Sequence, residues 1–268
     1  MRYAVCNNDP AAIADIRDAG FDYLEVSVPN FVRPFDPEDV FEETLATFRA
    51  ATGGHPIEAA NLFLPGELRC TGPDAVPFDR LAGYAETVCR RLAKAGASIL
   101  VFGSGRARAV PEGWPKEKAE EQFVSLLSRL GPIAESHGVT IAVEPLARVE
   151  CNFVNTVDEG AAIARASGSP AVGVVADCYH WARNGESAET ILAARGVLVH
   201  AHLATLPSRQ APGMEPCDFT PFFRALLAAG YDGRVSIEGG LPPPEGRVAG
   251  LRRALAVLRE TRAAAAAG

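Results

Sequence analysis

The chain has 268 residues, of which 48% are hydrophobic and 22% charged, the composition of an ordinary globular protein. Its formal net charge of −7 argues against general binding to nucleic acid, which needs a basic face. No apolar run approaches the ~20 residues that cross a bilayer, so no membrane contact is expected. The six cysteines are scattered singly with no CxxC, and they read as reduced thiols of a cytoplasmic protein.

Met1 leads directly into a short strand, Tyr3–Cys6, with no basic and apolar leader of the export type. Pro10–Ala19 has helical spacing and stops at Gly20. Phe21–Val28 alternates and predicts the second strand, closed by Pro29. Asp39–Ala51 is a helix ended by Gly53-Gly54, and Ile57–Leu64 is the third strand. A long helix, Asp79–Ala95, stops at Gly96 before the fourth strand, Ser98–Phe102. Gly103-Ser104-Gly105 follows as a loop in which backbone can approach a ligand closely. Lys116–His137 is the next helix, Val139–Val143 the fifth strand, Asp158–Ala166 a helix and Val172–Ala176 the sixth strand. A short helix at Glu189–Ala194 precedes the seventh strand, Val197–Leu203. Then come a helix at Phe219–Ala229, the eighth strand at Arg234–Ile237 and a closing helix at Leu251–Ala264. The alanine-rich tail, Ala263–Gly268, is expected to be a frayed helix end.

Eight strands alternating with helices predict an α/β fold, a single (β/α)8 TIM barrel occupying residues 1–268. Such a barrel typically needs about 250 residues, so the chain fits without a remainder.

The stretch Val-Gly-Val-Val-Ala-Asp-Cys-Tyr-His, residues 172–180, places Asp177 and His180 at the carboxyl end of a buried strand, where barrels keep their chemistry. The other late strands end alike. Glu144 follows the fifth, Glu238 the eighth, and the seventh carries His200 and His202 on one face. Any one of these suits a salt bridge or a helix cap. Three carboxylates converging on one mouth would repel each other unless a cation sat among them. Oxygen ligands with one imidazole and no thiolate suit a single divalent ion such as Mn, Mg or Co. His200 reads as core packing or as support for His202; Glu25 ends the second strand within reach of the mouth but reads first as a surface or packing residue, and Trp114 as loop packing before a wall of the pocket.

The pattern Glu144-Pro-Leu…Glu150…Asn155-Thr156, then Asp177-Cys-Tyr-His180, His200-Ala-His202…Arg209…Pro212-Gly213 and Ser236-Ile-Glu238-Gly239 resembles the xylose isomerase-like superfamily. More narrowly it is similar to the sugar phosphate isomerase/epimerase branch, with its ketose 3-epimerases and hydroxypyruvate isomerases. Two departures stand out: Arg209 lies seven residues after His202 where six are common, and Glu215 replaces a usual glycine. The resemblance implies that Glu144, Asp177, His202 and Glu238 ligate the metal. It also implies that Glu144 and Glu238 are paired catalytic carboxylates, and that Glu150, His180 and Arg209 contact substrate oxygens. The activity implied is isomerisation or epimerisation of a small keto-sugar or hydroxy-keto acid, by proton transfer through an enediolate. Relatives are often oligomeric, so a homo-oligomer is an expectation carried by the resemblance alone.

Three other activities fit parts of this pattern. A metal-dependent dehydratase or lyase on a keto-sugar, keto-inositol or related polyol begins with the same proton abstraction and would release water. An abasic-site DNA endonuclease shares the barrel, but such enzymes carry a more histidine-rich, trinuclear site; Asn61-Leu-Phe-Leu and Val-Phe-Gly-Ser hold no histidine. A non-catalytic sugar-binding barrel has no need of two opposed bases.

Overall fold

A computed structural model describes residues 1–267. Eight parallel strands close on themselves in chain order, each hydrogen-bonded to the next and the last to the first. They are β1 Arg2–Cys6, β2 Tyr23–Ser27, β3 Ile57–Asn61, β4 Ile99–Phe102, β5 Thr140–Val143, β6 Val172–Asp177, β7 Leu198–Leu203 and β8 Arg234–Ile237. The (β/α)8 expectation therefore holds.

Helices cover the barrel: α1 Pro10–Ala19, α2 Glu38–Thr52, α3 Phe78–Ala95, α4 Gly105–Arg108, α5 Lys116–Ser136, α6 Val157–Ala166, α7 Cys178–Arg183, α8 Ala188–Ala193, α9 Thr220–Ala228 and α10 Arg247–Ala267. Local chemistry sets several boundaries. Asp9 caps α1 by accepting from the Ala11 N–H, with Pro10 in the first turn, and Gly20 ends it at φ 94°. Thr156 caps α6 and Ser187 caps α8 in the same way.

Most of the apolar side chains lie between strands and helices. A second, smaller cluster fills the barrel interior with Ala4, Tyr23, Ala59, Ile99, Val101, Ala142 and Val175. This division explains the strand patterns. A barrel strand has no solvent face, so its more polar face is the one aimed at the barrel axis.

The structure differs from expectation in four places. The second strand stops at Ser27, and Val28–Val32 winds into a single π-helical turn where Pro29 removes a ladder donor. The third stops at Asn61, because Leu62 turns the chain at φ 58°. The Gly103-Ser104-Gly105 loop runs straight into α4. The closing helix continues through Ala267, with Ala265 buried, rather than fraying from Ala263; Gly268 lies outside the described residues. All six cysteines are free thiols. Among the described residues, no helix is long and apolar enough to cross a membrane.

Candidate active site and metal centre

The carboxyl ends of the late strands deliver their polar residues to one point. Glu144 directly follows β5, and its N–H still bonds the Phe102 carbonyl at 3.2 Å, so it stays in the barrel's register. Glu238 likewise follows β8, with its N–H on the Leu203 carbonyl at 3.0 Å. Asp177 is the last residue of β6 and divides its carboxylate between two tasks. Its Oδ1 accepts from the Tyr179 and His180 N–H groups at 2.6 and 3.2 Å, capping α7. Its Oδ2 faces the mouth, 4.0 Å from His202 Nδ1 and 3.8 Å from Arg209. Helix cap and mouth-facing oxygen thus coexist in one side chain.

His202 joins the group from β7. Its Nδ1 lies 3.0 Å from Glu144 Oε1 and 3.6 Å from Glu238 Oε2. Glu144, Asp177, His202 and Glu238 each offer one donor atom, all within 4.8 Å of one another. Three oxygens and one imidazole nitrogen, largely buried, are the donor set a divalent ion requires. The residues present fit such an ion.

The electrostatics agree. Burial and the neighbouring Glu238 push the Glu144 carboxyl above its ordinary range. Burial pushes Glu238 the same way, but His202 and Arg209 outweigh it and hold Glu238 down at about 2. Burial disfavours the charged form of His202, yet Glu25 and Glu238 raise its pKa well above the usual value. The carboxylates crowded at this point thus favour a cation among them.

Behind His202 lies an arrangement that sequence reasoning missed. Glu25, expected to be surface or packing, is fully buried, with Oε1 2.8 Å from His202 Nε2 and Oε2 2.8 Å from His200 Nε2. Burial works against its charge, but the two imidazoles overcome that and bring its pKa well below normal. Glu25 therefore accepts the Nε2–H of His202 and turns Nδ1 toward the mouth, the carboxylate–histidine pairing that orients metal ligands. His200 has its pKa lowered by burial, against the opposing pull of Glu25, so it stays neutral as a supporting residue. Its Nε2 lies 3.4 Å from Ser236 Oγ, which is 3.0 Å from the Tyr23 hydroxyl. The available signal was positional: Glu25 lies near the carboxyl end of its strand, as the other three carboxylates do.

The residues expected to touch substrate surround a cavity of about 670 Å³ above this cluster. His180 is buried, and its Nδ1 accepts the Ala147 N–H at 3.1 Å, which leaves the proton on Nε2. Arg209 donates to Glu238 through its carboxylate and, at 3.2 Å, to its backbone carbonyl. Arg209 also stacks 4.7 Å above the Tyr179 ring and lies 3.7 Å from Glu150. Glu215, which stands where a glycine is usual, closes this loop by accepting from Thr205 and from Ser208. Glu150 is held near the mouth because Asn155 ties the Leu146 and Cys151 carbonyls at 2.8 and 2.7 Å. Asn61, also missed, donates to Glu238 Oε1 at 3.0 Å. Trp114 does not line the cavity and packs with Lys118.

Residues 13–261 match the model of the xylose isomerase-like TIM barrel family. The chain belongs to that family. Among its relatives, an L-ribulose 3-epimerase of Mesorhizobium japonicum is 31% identical over 84% of this chain and 73% of its own length. A 2-oxo-tetronate isomerase of Cupriavidus necator is 28% identical over 79% of this chain and 82% of its own. The fold is shared with a D-psicose 3-epimerase crystallised with D-fructose, at a TM-score of 0.84, 20% identity, and 98% and 99% coverage. It is shared too with the IOLI protein carrying a zinc atom, at 0.73, 19% identity, and 99% and 98% coverage. These sequence relatives are an epimerase and an isomerase of sugars or related acids, and this chain is an enzyme of that kind.

Proposed function

We propose that the chain is a divalent-metal-dependent isomerase or epimerase of a small keto-sugar or hydroxy-keto acid. The observation that carries this reading is the set of four donor atoms within 4.8 Å at the barrel mouth, two of them from Glu144 and Glu238. Glu144, Asp177, His202 and Glu238 would hold the ion, which when bound polarises a substrate carbonyl and acidifies the adjacent C–H.

The other roles belong to the chain. Glu238 is held ionised and serves as the base that takes the proton. Glu144 faces the same point from β5 and returns a proton of its own, which leaves Glu238 protonated and Glu144 ionised. Return to the same carbon from the opposite side gives an epimer, and return to the neighbouring carbon gives an aldose or ketose isomer. His180, with its proton on Nε2, donates to the substrate oxygen on which charge develops. Arg209 and Glu150 hold the hydroxyls beyond. Arg209 also keeps Glu238 in place before substrate arrives. The cavity and the relatives' activities support a carbohydrate-like substrate.

The test begins with metal analysis of the purified protein. Solvent-deuterium exchange into a panel of ketoses and polyol ketones follows. Glu238→Gln should lower exchange by about 10²–10⁴-fold with an unchanged circular dichroism spectrum. Undiminished exchange would remove the two-carboxylate mechanism, and release of water during turnover would make the enzyme a dehydratase instead.

A further inference from the structure

Two cationic side chains line the cavity, Arg209 and Arg106. Arg209 is committed to Glu238, Asp177 and Glu150. Arg106, in α4, is exposed and makes no side-chain hydrogen bond or ion pair with any described residue. We propose that Arg106 forms an anion subsite at the rim of the cavity, and that the substrate is a ketose ending in a carboxylate or a phosphate. This deepens the isomerase reading and rests on it.

The segment carrying Arg106 is fixed on both sides, so the guanidinium is presented rather than left on a loose loop. Ser104, held at φ 38°, accepts the Leu64 N–H on its hydroxyl at 2.9 Å and so ties the chain after β4 to the chain after β3. Two residues beyond Arg106, the fully buried Arg108 donates to the Glu144 backbone carbonyl at 2.6 Å. Between these anchors Arg106 lies across Gly66, where an added Cβ would come within 3.1 Å of its Cβ and 3.2 Å of its Nε. Any larger residue at position 66 would push the arginine aside.

Charge gives the subsite its meaning. The cavity is lined by Glu144, Glu150 and Glu238, with Asp177 clustered beside Glu144 and Glu238, so a substrate anion is repelled there once the metal and Arg209 have been used. At the rim the same anion meets an unpaired guanidinium with a forked donor face suited to carboxylate or phosphate. This polarity orients the substrate, with its anionic end outward and its ketone on the catalytic carboxylates.

The experiment uses manganese-loaded protein and three probes that differ only at the terminal carbon: D-fructose, D-fructose 6-phosphate and D-fructuronate. Deuterium exchange and isothermal titration calorimetry are run on wild type, Arg106→Gln and Arg106→Lys. At least one anion should exceed fructose in kcat/KM by about tenfold to a hundredfold, chiefly through KM. Arg106→Gln should erase most of that ratio and Arg106→Lys should retain part of it. Which anion gains tells phosphate from carboxylate. Fructose equal to or better than both anions, or an unchanged ratio in Arg106→Gln, overturns the subsite. If no probe exchanges, the isomerase reading fails on these probes and calorimetry still decides the subsite. Anion binding tighter than fructose and lost in Arg106→Gln upholds it; equal binding, or binding that survives the variant, removes it.

Discussion

The two halves of the barrel contribute differently to the mouth. From β5 onward the chain supplies the reactive groups: Glu144, Glu150, Asp177, His180, His202, Arg209 and Glu238. Segments after β2, β3 and β4 supply mostly shape, through Pro29, Leu62, Leu64, Gly66 and Gly103. Apart from Arg106 at the rim, the main polar groups of the first half act through second-half residues: Glu25 on His202, and Asn61 on Glu238. Room for the chemistry is as specific a requirement as the chemistry.

The sharpest way to break that division is at Gly103, because its contribution is an absence. A Cβ placed there would lie 2.2 Å from Glu144 Oε2. The group that must yield is the free end of a side chain, so the fold can absorb the change, and the yielding atom belongs to a catalytic carboxylate. Gly103→Ala is expected to cost about 100-fold in kcat/KM, the scale of a misplacement near 1 Å, with little change in the melting temperature. Normal activity would show that the first half's shape is dispensable at this point.

Glu25→Gln tests whether the first half acts only through the second. Glutamine fills the same space but cannot give two imidazoles a charged acceptor. Metal affinity should fall about 10- to 100-fold, read by titration with manganese against a chelator. An unchanged dissociation constant would leave Glu25 as a buried ion-pair partner and nothing more.

The same division explains what could be read from the residues alone. The late strands are short apolar runs that stop in a carboxylate, and their order along the chain locates the mouth without any structure. In Phe21–Val28 the alternation is equally regular, yet by itself it fits a surface or packing Glu25 as readily as one at the mouth. In a closed barrel that polar face is the interior, where Tyr23 and Glu25 stand two residues apart, while Leu24 and Val26 pack under the helices. Periodicity separates two faces without saying which one meets water. Arg106 was hidden for another reason: Gly-Ser-Gly points to backbone approaching a ligand rather than to a side chain beyond it, and the bonds from Leu64 and to Glu144 that fix the segment are all long-range.

The smallest effect concerns a half-buried second-half carboxylate that plays no part in the mouth. Glu186 accepts the Val157 N–H on Oε2 at 2.8 Å, while its Oε1 is buried with no partner. Burial pushes its pKa up to about 7, more than the Val157 N–H can offset. With the folded value above the unfolded one, the native state binds the extra proton between the two. Its stability is therefore complete below about pH 4.5 and declines as pH rises through about 7. Glu186→Gln keeps an acceptor for Val157 and removes the charge. Thermal melts should show no change at pH 4.5 and a gain of about 2–4 °C at pH 8, with manganese affinity unaltered. Parallel melting curves across that range would mean that Glu186 is relieved by solvent. A shift in metal affinity would mean instead that the mouth's carboxylates feel charge well beyond the four that face the ion, and the division between the halves would lose its sharp edge.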